Sequence, residues 1–471
     1  MSSETKTQPL KKKSSNKVKM ATFGFGPFTT QIMYNVYNYL IFYYYEVELG
    51  LATALVGLSF IIYAVWNMVN DPILGYFTDK PRKWSRKYGL RFPWIMFGGA
   101  LQIICLFFIF WIPDIGDPKS NPWPLFWYMV LITCLLDTFY SIFHSNYVGG
   151  FANIFRTPEQ RRKGSTIVTF FGIFGQFLVV GLIIPMTIIL GDPSSYIRLV
   201  LIICVLLTVA LIIFIPGVHE SELIKKRYLQ IYEFLDSQKL PYFKLLKIAF
   251  KEKNWVIYIT VFSLQITASF LWMGSTLYLI RDVLHLDISV LTLASLALMI
   301  TAIPSILFWS WVAKRTAHSN VTTIALFIMA SACLVIMVIT DAMGFIFVHV
   351  LMGLAAGAWA SVLMSWTSDS NDSVVNAAGR HVESTLVGIR NFFNRIAYII
   401  MGSIIAGVHI ATGYVPGASQ QTELALIGIR IHTGLIPFII LVTGGILMLK
   451  FYDLKGEKKI ALFESIKKKG L

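Results

Sequence analysis

The sequence predicts an all-α membrane protein with twelve transmembrane helices arranged as two sets of six. Three observations carry that prediction. The 471 residues are 56% hydrophobic and only 14% charged, where soluble domains carry about 25% charged residues. The apolar residues fall into twelve segments of about 20 residues or more, the length a helix needs to cross hydrocarbon. The basic residues gather in alternate connections between those segments. A water-soluble enzyme could not hide so much apolar surface, and the sequence holds no HExxH, GxSxG or paired-carboxylate motif. An intramembrane enzyme would have to work through His144 and Asp137 without one, so the chain is expected not to be an enzyme.

Taken in order, the spans are predicted at 20–45, 52–78, 93–112, 123–147, 165–190, 196–216, 254–280, 287–313, 321–340, 343–367, 384–411 and 429–451. Residues 1–19 form a polar tail with the run Lys11, Lys12, Lys13 and no apolar core before a cleavage site, so they are expected not to be a signal peptide. The division of the chain follows: tail 1–19, first six-helix bundle 20–216, central loop 217–253, second bundle 254–451 and tail 452–471. The tails and even-numbered connections hold 34 of the 40 Lys and Arg residues, and the other side holds four: Lys119, Arg198, Arg281 and Arg430. This bias places both termini in the cytoplasm of a plasma-membrane protein, with Glu46, Glu48 and Asp282 among the acidic residues outside. The net charge of +15 is therefore topology and not a nucleic-acid footprint. The four cysteines (Cys105, Cys134, Cys204, Cys333) lie in apolar stretches with no CxxC pair, so neither a disulfide nor a metal site is expected. The central loop (KRYLQIYEFLDSQKLPYFKLLKIAFKEK) and the last tail (EKKIALFESIKKK) each read equally as an amphipathic helix on the anionic inner leaflet or as a solvated linker.

Polar residues within the spans repeat at helical spacing. Span 1 carries Gln31, Asn35 and Asn38; span 2 carries Tyr63, Asn67, Asn70 and Asp71. Span 4 carries Asp137, Tyr140, Ser141, His144 and Ser145, and span 11 carries Asn391, Asn394, Arg395 and Tyr398. A lone hydroxyl or amide such as Ser141, Ser145 or Asn38 can equally be interhelical glue worth about 0.6–2 kcal/mol. Asp71 and Arg395 differ, because each costs at least about 2.5–3.5 kcal/mol to insert; a shared wet cavity lowers that cost. His144 faces the cavity or is a hydrogen-bonded structural histidine, and Asp137 lies nearer an end or a helix contact. Arg390 is close enough to a span end to snorkel. Glycines and prolines such as Gly24, Gly26, Pro27, Pro72, Gly75, Gly172, Gly353 and Gly357 permit close packing and bending.

The stretch VWNMVNDPILGYFTDKPRKWSRKYGLRFPW, with FGFGPF and YLIFYYYEVELGL before it, resembles the glycoside–pentoside–hexuronide:cation symporters. This is the melibiose permease group of the major facilitator superfamily. FYSIFHSNYVG, RTPEQRRKGS and RHVESTLVGIRNFFNRIAY extend the resemblance more weakly over most of the chain. It implies two six-helix bundles around a central cavity, alternating access, and solute uptake coupled to Na+, Li+ or H+. The family's cation carboxylates on span 2 fall here on Asn67 and Asp71, its acidic solute residues on Gln31 and His144, and its span 11 lysine on Arg395. Three carboxylates of the pattern are thus replaced. Asn67 keeps a carbonyl oxygen for Na+ but not the charge. His144 also resembles the span 4 histidine of the related sodium-coupled lysophospholipid symporters.

The expected function is cation-coupled symport of a sugar or glycoside, with a lysophospholipid or other amphiphile as the alternative cargo. Asp71, Asn67 and Asn70 are expected to hold the cation, and Arg395 to compete with it. Gln31, Asn35, Tyr140, His144, Asn391 and Asn394 are expected to line the solute pocket. Trp66, Trp272, Trp359 and Trp366 either stack on a sugar or line helices. Asp79, Arg82, Arg86 and Arg91, facing Arg161 and Arg162, are expected to form a cytoplasmic gate. No cofactor and no bound metal are expected beyond a transported Na+. The partners are a small solute, a monovalent cation and the bilayer, and the functional unit is a monomer.

Overall fold

A backbone in hydrocarbon has no water to bond, so long apolar runs become helices that satisfy their own amides. The computed structural model describes residues 13–79, 82–154, 158–189, 193–220, 225, 242–379 and 382–469. Its long helices, numbered in chain order, are α1 (Phe25–Tyr43), α2 (Thr53–Asp79), α3 (Phe92–Phe110), α4 (Trp123–Ile154), α5 (Pro158–Phe177) and α6 (Pro193–Val218) in the first half. The second half contributes α7 (Lys253–Tyr278), α8 (Val290–Arg315), α9 (His318–Ile336), α10 (Ala342–Ala378), α11 (Glu383–Thr412) and α12 (Ile436–Phe451). Widened turns extend α1 over Tyr44–Glu48, α5 over Leu178–Ile183 and α7 over Leu279–Val283, and another, Ile431–Leu435, precedes α12. Such π-turns accumulate at functional sites.

Eleven helices among the described residues are long and apolar enough to cross a membrane. The exception is α1, whose Gln31, Asn35, Asn38 and tyrosines dilute its apolar content. Its length is sufficient, and it is buried on almost every side, so its polar groups face protein rather than lipid. Three spans run well past the ends that hydropathy predicts: α5 begins at Pro158, α4 ends at Ile154 and α10 at Ala378. The polar end of α10 is sheltered: Trp255 Nε1 donates to Asn371 Oδ1 at 3.1 Å, and Ser370 shares a hydrogen bond with Tyr452. The helix Gly456–Lys468 docks there as well, with Ser465 Oγ on Asn376 Oδ1 at 2.8 Å and Lys459 Nζ on Asp369 at 2.7 Å. The last tail is therefore a docked helix. Most of the central loop lies outside the described residues.

In the first half α1 packs on α5 and α6, α2 on α4, and α3 on α4 and α6; in the second half α7 packs on α11 and α12, α10 on α8 and α9, and α9 on α12. The halves meet through α1 with α7, α2 with α11, and the widened turn of α5 with α8. This is the pattern a two-fold axis between the halves produces. We call the end holding Glu48, Val283 and Thr412 distal, and the other proximal. In the distal half of α2 the backbones nearly touch: a Cβ on Gly57 would lie 2.8 Å from Ala406 Cβ and 3.2 Å from the Gly402 carbonyl oxygen. Gly57→Val is expected to keep the halves apart at this end, which an increased distance between labels on the distal loops would report.

At the proximal end Glu220 accepts from the amides of Leu90 at 2.6 Å and Arg91 at 3.3 Å, closing the start of α3; burial raises the pKa of this carboxyl. Asp453 accepts from Lys458 Nζ at 2.7 Å and Asn254 Nδ2 at 2.9 Å, which hold its pKa down to about 2. A depressed carboxyl stabilises above its unfolded value and loses that contribution as pH falls through the folded one. The stability difference between the protein and Asp453→Asn is thus expected to be full above about pH 4 and to shrink as pH falls toward 2, read from unfolding midpoints in detergent. Of the expected gate, Arg91 sits beside Gly149 of α4 and Arg82 lies over the Phe77 ring at 4.3 Å. The side chains of Asp79, Arg86, Arg161 and Arg162 lie outside the described residues.

Candidate functional site

Midway along α2 and α11 the two charges found in the sequence meet. Arg395 donates to Asp71 Oδ2 through NH2 at 2.8 Å and Nε at 3.2 Å. The side chains are 17% and 24% exposed, so the pair is partly wet. Its third member comes from α4: Asp137, buried, accepts from the Tyr63 hydroxyl at 3.1 Å and lies 3.9 Å from Arg395 NH1. One guanidinium thus faces two carboxylates, leaving the triad one negative charge in excess. Asn67 lies against Asp137 and donates to the Tyr63 carbonyl. Asp71 Oδ1, Asp137 Oδ2 and Asn67 Oδ1 are buried without a hydrogen-bond donor. Buried oxygens are normally satisfied, and three beside a surplus negative charge suit a cation with oxygen ligands. Asn70 turns elsewhere: its amide donates to Thr138 Oγ1 on α4 at 3.1 Å, beside Trp66 Nε1 at 3.0 Å, where both tie α2 to α4.

Asp137 and Arg395 of the triad line a cavity of about 180 Å³ together with Tyr63, Tyr140, His144, Asn391 and Asn394, and Asp71 is joined to it through its hydrogen bonds from Arg395. His144 stacks on Tyr140 with ring centroids 5.4 Å apart. Aromatic rings complete the lining. Tyr37 stacks on Tyr63 at 4.7 Å, and Phe270 of α7 packs on Tyr398 at 4.2 Å. The sequence reading missed Tyr34, Tyr37 and Phe270, because an aromatic within a span looks the same whether it faces a helix or a hollow.

Gln31 and Asn35 do not line this cavity. They open on a second chamber of about 370 Å³, together with Gln176, Gln265 and Ser269. Its remaining wall includes Trp272, Trp359, Met273, Met329 and Met352, so it is largely apolar. Tyr34 and Ile266 belong to both chambers. The expected solute residues are therefore divided between two adjoining spaces. Arg390 packs within the second half, donating to the Tyr258 hydroxyl at 3.4 Å with its guanidinium over Phe262.

Comparison with known proteins gives this arrangement a context. Residues 22–456 match the family profile described as MFS/sugar transport protein. The isoprimeverose transporter of Lactiplantibacillus pentosus is 23% identical over 86% of this chain and 82% of its own. The sodium-dependent lysophosphatidylcholine symporter 1 of Xenopus tropicalis is 22% identical over 84% of this chain and 79% of its own. An uncharacterized symporter of Synechocystis is 27% identical, but the match spans 36% of this chain and 31% of that one. Among solved structures, a mutant form of the nucleoside transporter NupG superposes with a TM-score of 0.63 at 14% identity, over 93% of this chain and all of the other. The chain belongs to the MFS/sugar transport family: it is a multi-pass membrane transporter, not an enzyme.

Proposed function

We propose that this member of the MFS/sugar transport family is a symporter that takes up a glycoside together with Na+ or H+ through the central cavity. The observation that carries the reading is the Asp71–Arg395–Asp137 triad with the adjoining Asn67: donorless oxygens on Asp71, Asp137 and Asn67 sit beside a cavity lined by Asp137 and Arg395. When no cation is present, Arg395 is the positive charge that Asp71 and Asp137 share. A cation entering beside Asp71 Oδ1, Asp137 Oδ2 and Asn67 Oδ1 competes with the guanidinium. Arg395 then loosens from Asp71, and the α2–α11 contact between the halves changes with it. That link lets ion occupancy bias which side of the membrane the cavity faces. The tyrosine and phenylalanine faces suit the apolar face of a sugar ring, while Asn391, Asn394, Tyr140 and His144 offer partners for its hydroxyls. The distal end faces outside and the termini the cytoplasm of the plasma membrane, by the distribution of basic residues. One chain holds every group the reading uses, so the unit is a monomer.

A second reading rests on the apolar chamber. An amphiphile such as a lysolipid could place its polar group at the triad and its tail among Met273, Met329 and Met352. Uptake into proteoliposomes of labelled glycosides and lysolipids, under Na+ and pH gradients imposed separately, decides between them. Glycoside accumulation driven by one gradient supports the first reading. Lysolipid flux without sugar flux replaces it with the second, and accumulation independent of both gradients overturns cation coupling altogether.

A further inference from the structure

The distal end holds a second buried cluster of titratable groups, separate from the triad. Glu46, in the widened turn after α1, is fully buried. Its carboxylate accepts from Thr53 Oγ1 at 2.6 Å, from the hydroxyl of Tyr278 and from His409 Nδ1 at 3.0 Å. His409 Nε2 meets His432 Nε2 at 3.2 Å, and His432 Nδ1 meets Ser275 Oγ at 2.6 Å. The chain of bonds thus runs from the first half into α7, α11 and the turn before α12 of the second. It exists only while the halves are closed at this end.

The same region repeats between the halves. Leu49 and Leu51 donate to the carbonyls of Tyr44 and Tyr45, and Leu284 and Leu286 donate to those of Leu279 and Ile280. Gly50 and His285, each next in line, both have positive φ, +71° and +49°. This register pairs Tyr43 with Tyr278 and Glu46 with Arg281. The paired groups bond crosswise: Tyr278 donates to Glu46, while Arg281 NH1 donates to the Tyr43 hydroxyl at 2.6 Å. The two tyrosine rings pack 5.2 Å apart. Where symmetry would put a second cation opposite Arg281, the chain has an acid.

A count of protons shows what the cluster needs. If His409 is neutral and donates from Nδ1 to Glu46, its Nε2 must accept from His432, whose Nδ1 then accepts from Ser275. Nothing in that chain carries a positive charge. The other charged and titratable groups facing it are Tyr43, Tyr278, Tyr414, Arg281, Asp282, Glu48 and His285. Arg281 lies 3.8 Å from Asp282, which also accepts from Tyr414 at 3.0 Å. Glu48 is bonded by Tyr196, and His285 is exposed. Arg281 and Asp282 cancel, so Glu46 is left as a buried anion beside two neutral imidazoles. An uncompensated buried charge is costly, and one proton on the Glu46–His409 unit removes it. When the halves part, water reaches Glu46 and the need disappears.

We propose that Glu46, His409 and His432 form a proton-binding site at the distal closure, filled when the two halves meet there and emptied when they separate. Closure is then linked to uptake of about one proton, and the ratio of closed to open protein falls up to tenfold per pH unit as pH rises. To test this, fluorophores are placed at Asn121→Cys and Gln420→Cys, on exposed distal loops of the two halves, and their separation is measured in detergent between pH 7 and 9 with neither solute nor Na+. The expected result is a closed fraction that falls with pH in the otherwise unaltered protein and stays high and flat in Glu46→Gln, which keeps the acceptor without the charge. Should Glu46→Gln fail to fold, His409→Asn is expected to move the midpoint down by at least one pH unit, since the carboxyl must then take the proton alone. A flat profile in the unaltered protein, an unchanged slope in Glu46→Gln or an unchanged midpoint in His409→Asn overturns the proposal. So does loss of the slope in Asp71→Asn, which would assign the proton to the central cavity.

Discussion

Asp71→Asn is expected to lower gradient-driven accumulation by about two orders of magnitude. Two unit charges about 4 Å apart interact by about 4 kcal/mol at the effective dielectric of a partly wet protein site, and each 1.4 kcal/mol is about tenfold in binding. The expected loss is smaller than the full Coulomb figure because Asp71 is 24% exposed and Asp137 retains its charge nearby. Folding should survive, since Arg395 keeps a carboxylate 3.9 Å away. Equilibrium binding of solute without the cation should change little. Uptake in proteoliposomes, compared with solute binding in detergent, separates the two effects, and undiminished accumulation removes Asp71 from the cation site.

Arg395→Gln is expected to act on stability first. It leaves Asp71 and Asp137 facing one another without a cation, and Asp137 is buried. Removing one partner of a buried ion pair costs about 3–5 kcal/mol, because the remaining charge stays in low dielectric. Adding Asp137→Asn should restore most of that loss, and adding Asp71→Asn a smaller part, in the order of their burial. Unfolding midpoints in detergent for the single and double variants form the cycle that measures this. If Arg395→Gln is as stable as the parent, water already screens the triad and the guanidinium does not hold it together. The double variants should be inactive in accumulation even where stability returns.

How much of this was legible in the sequence differs between the two sites. The cost of ionised groups in hydrocarbon singles out Asp71 and Arg395 without any structure, and their pairing follows once both need a partner. Asp137 belongs to the same α4 stripe as Tyr140 and His144, yet periodicity alone does not say whether that stripe faces the cavity at its distal end or packs on α2. Asn70 and Asn67 are three residues apart on α2, and only the neighbouring helix decides that one bonds Thr138 while the other lies against Asp137. Glu46 shows the limit most clearly. At the end of a span, beside the basic-poor side, it reads as a hydrated acid outside the bilayer, whereas the chain turns it inward under Tyr278 and His409. Its partners lie 232 and 363 residues away, and hydropathy carries no trace of contacts between halves.

The wall shared by the two chambers has an effect of its own. Tyr34 and Ile266 each present one side to the charged cavity and the other to the apolar one, so a molecule that pushes them from one room changes the shape of its neighbour. Filling either space must then alter affinity in the other by the same factor, without a wire of residues between them. A sterol, detergent or acyl chain lodged among the methionines would therefore act as a volume knob on sugar binding, turning it without ever touching the sugar.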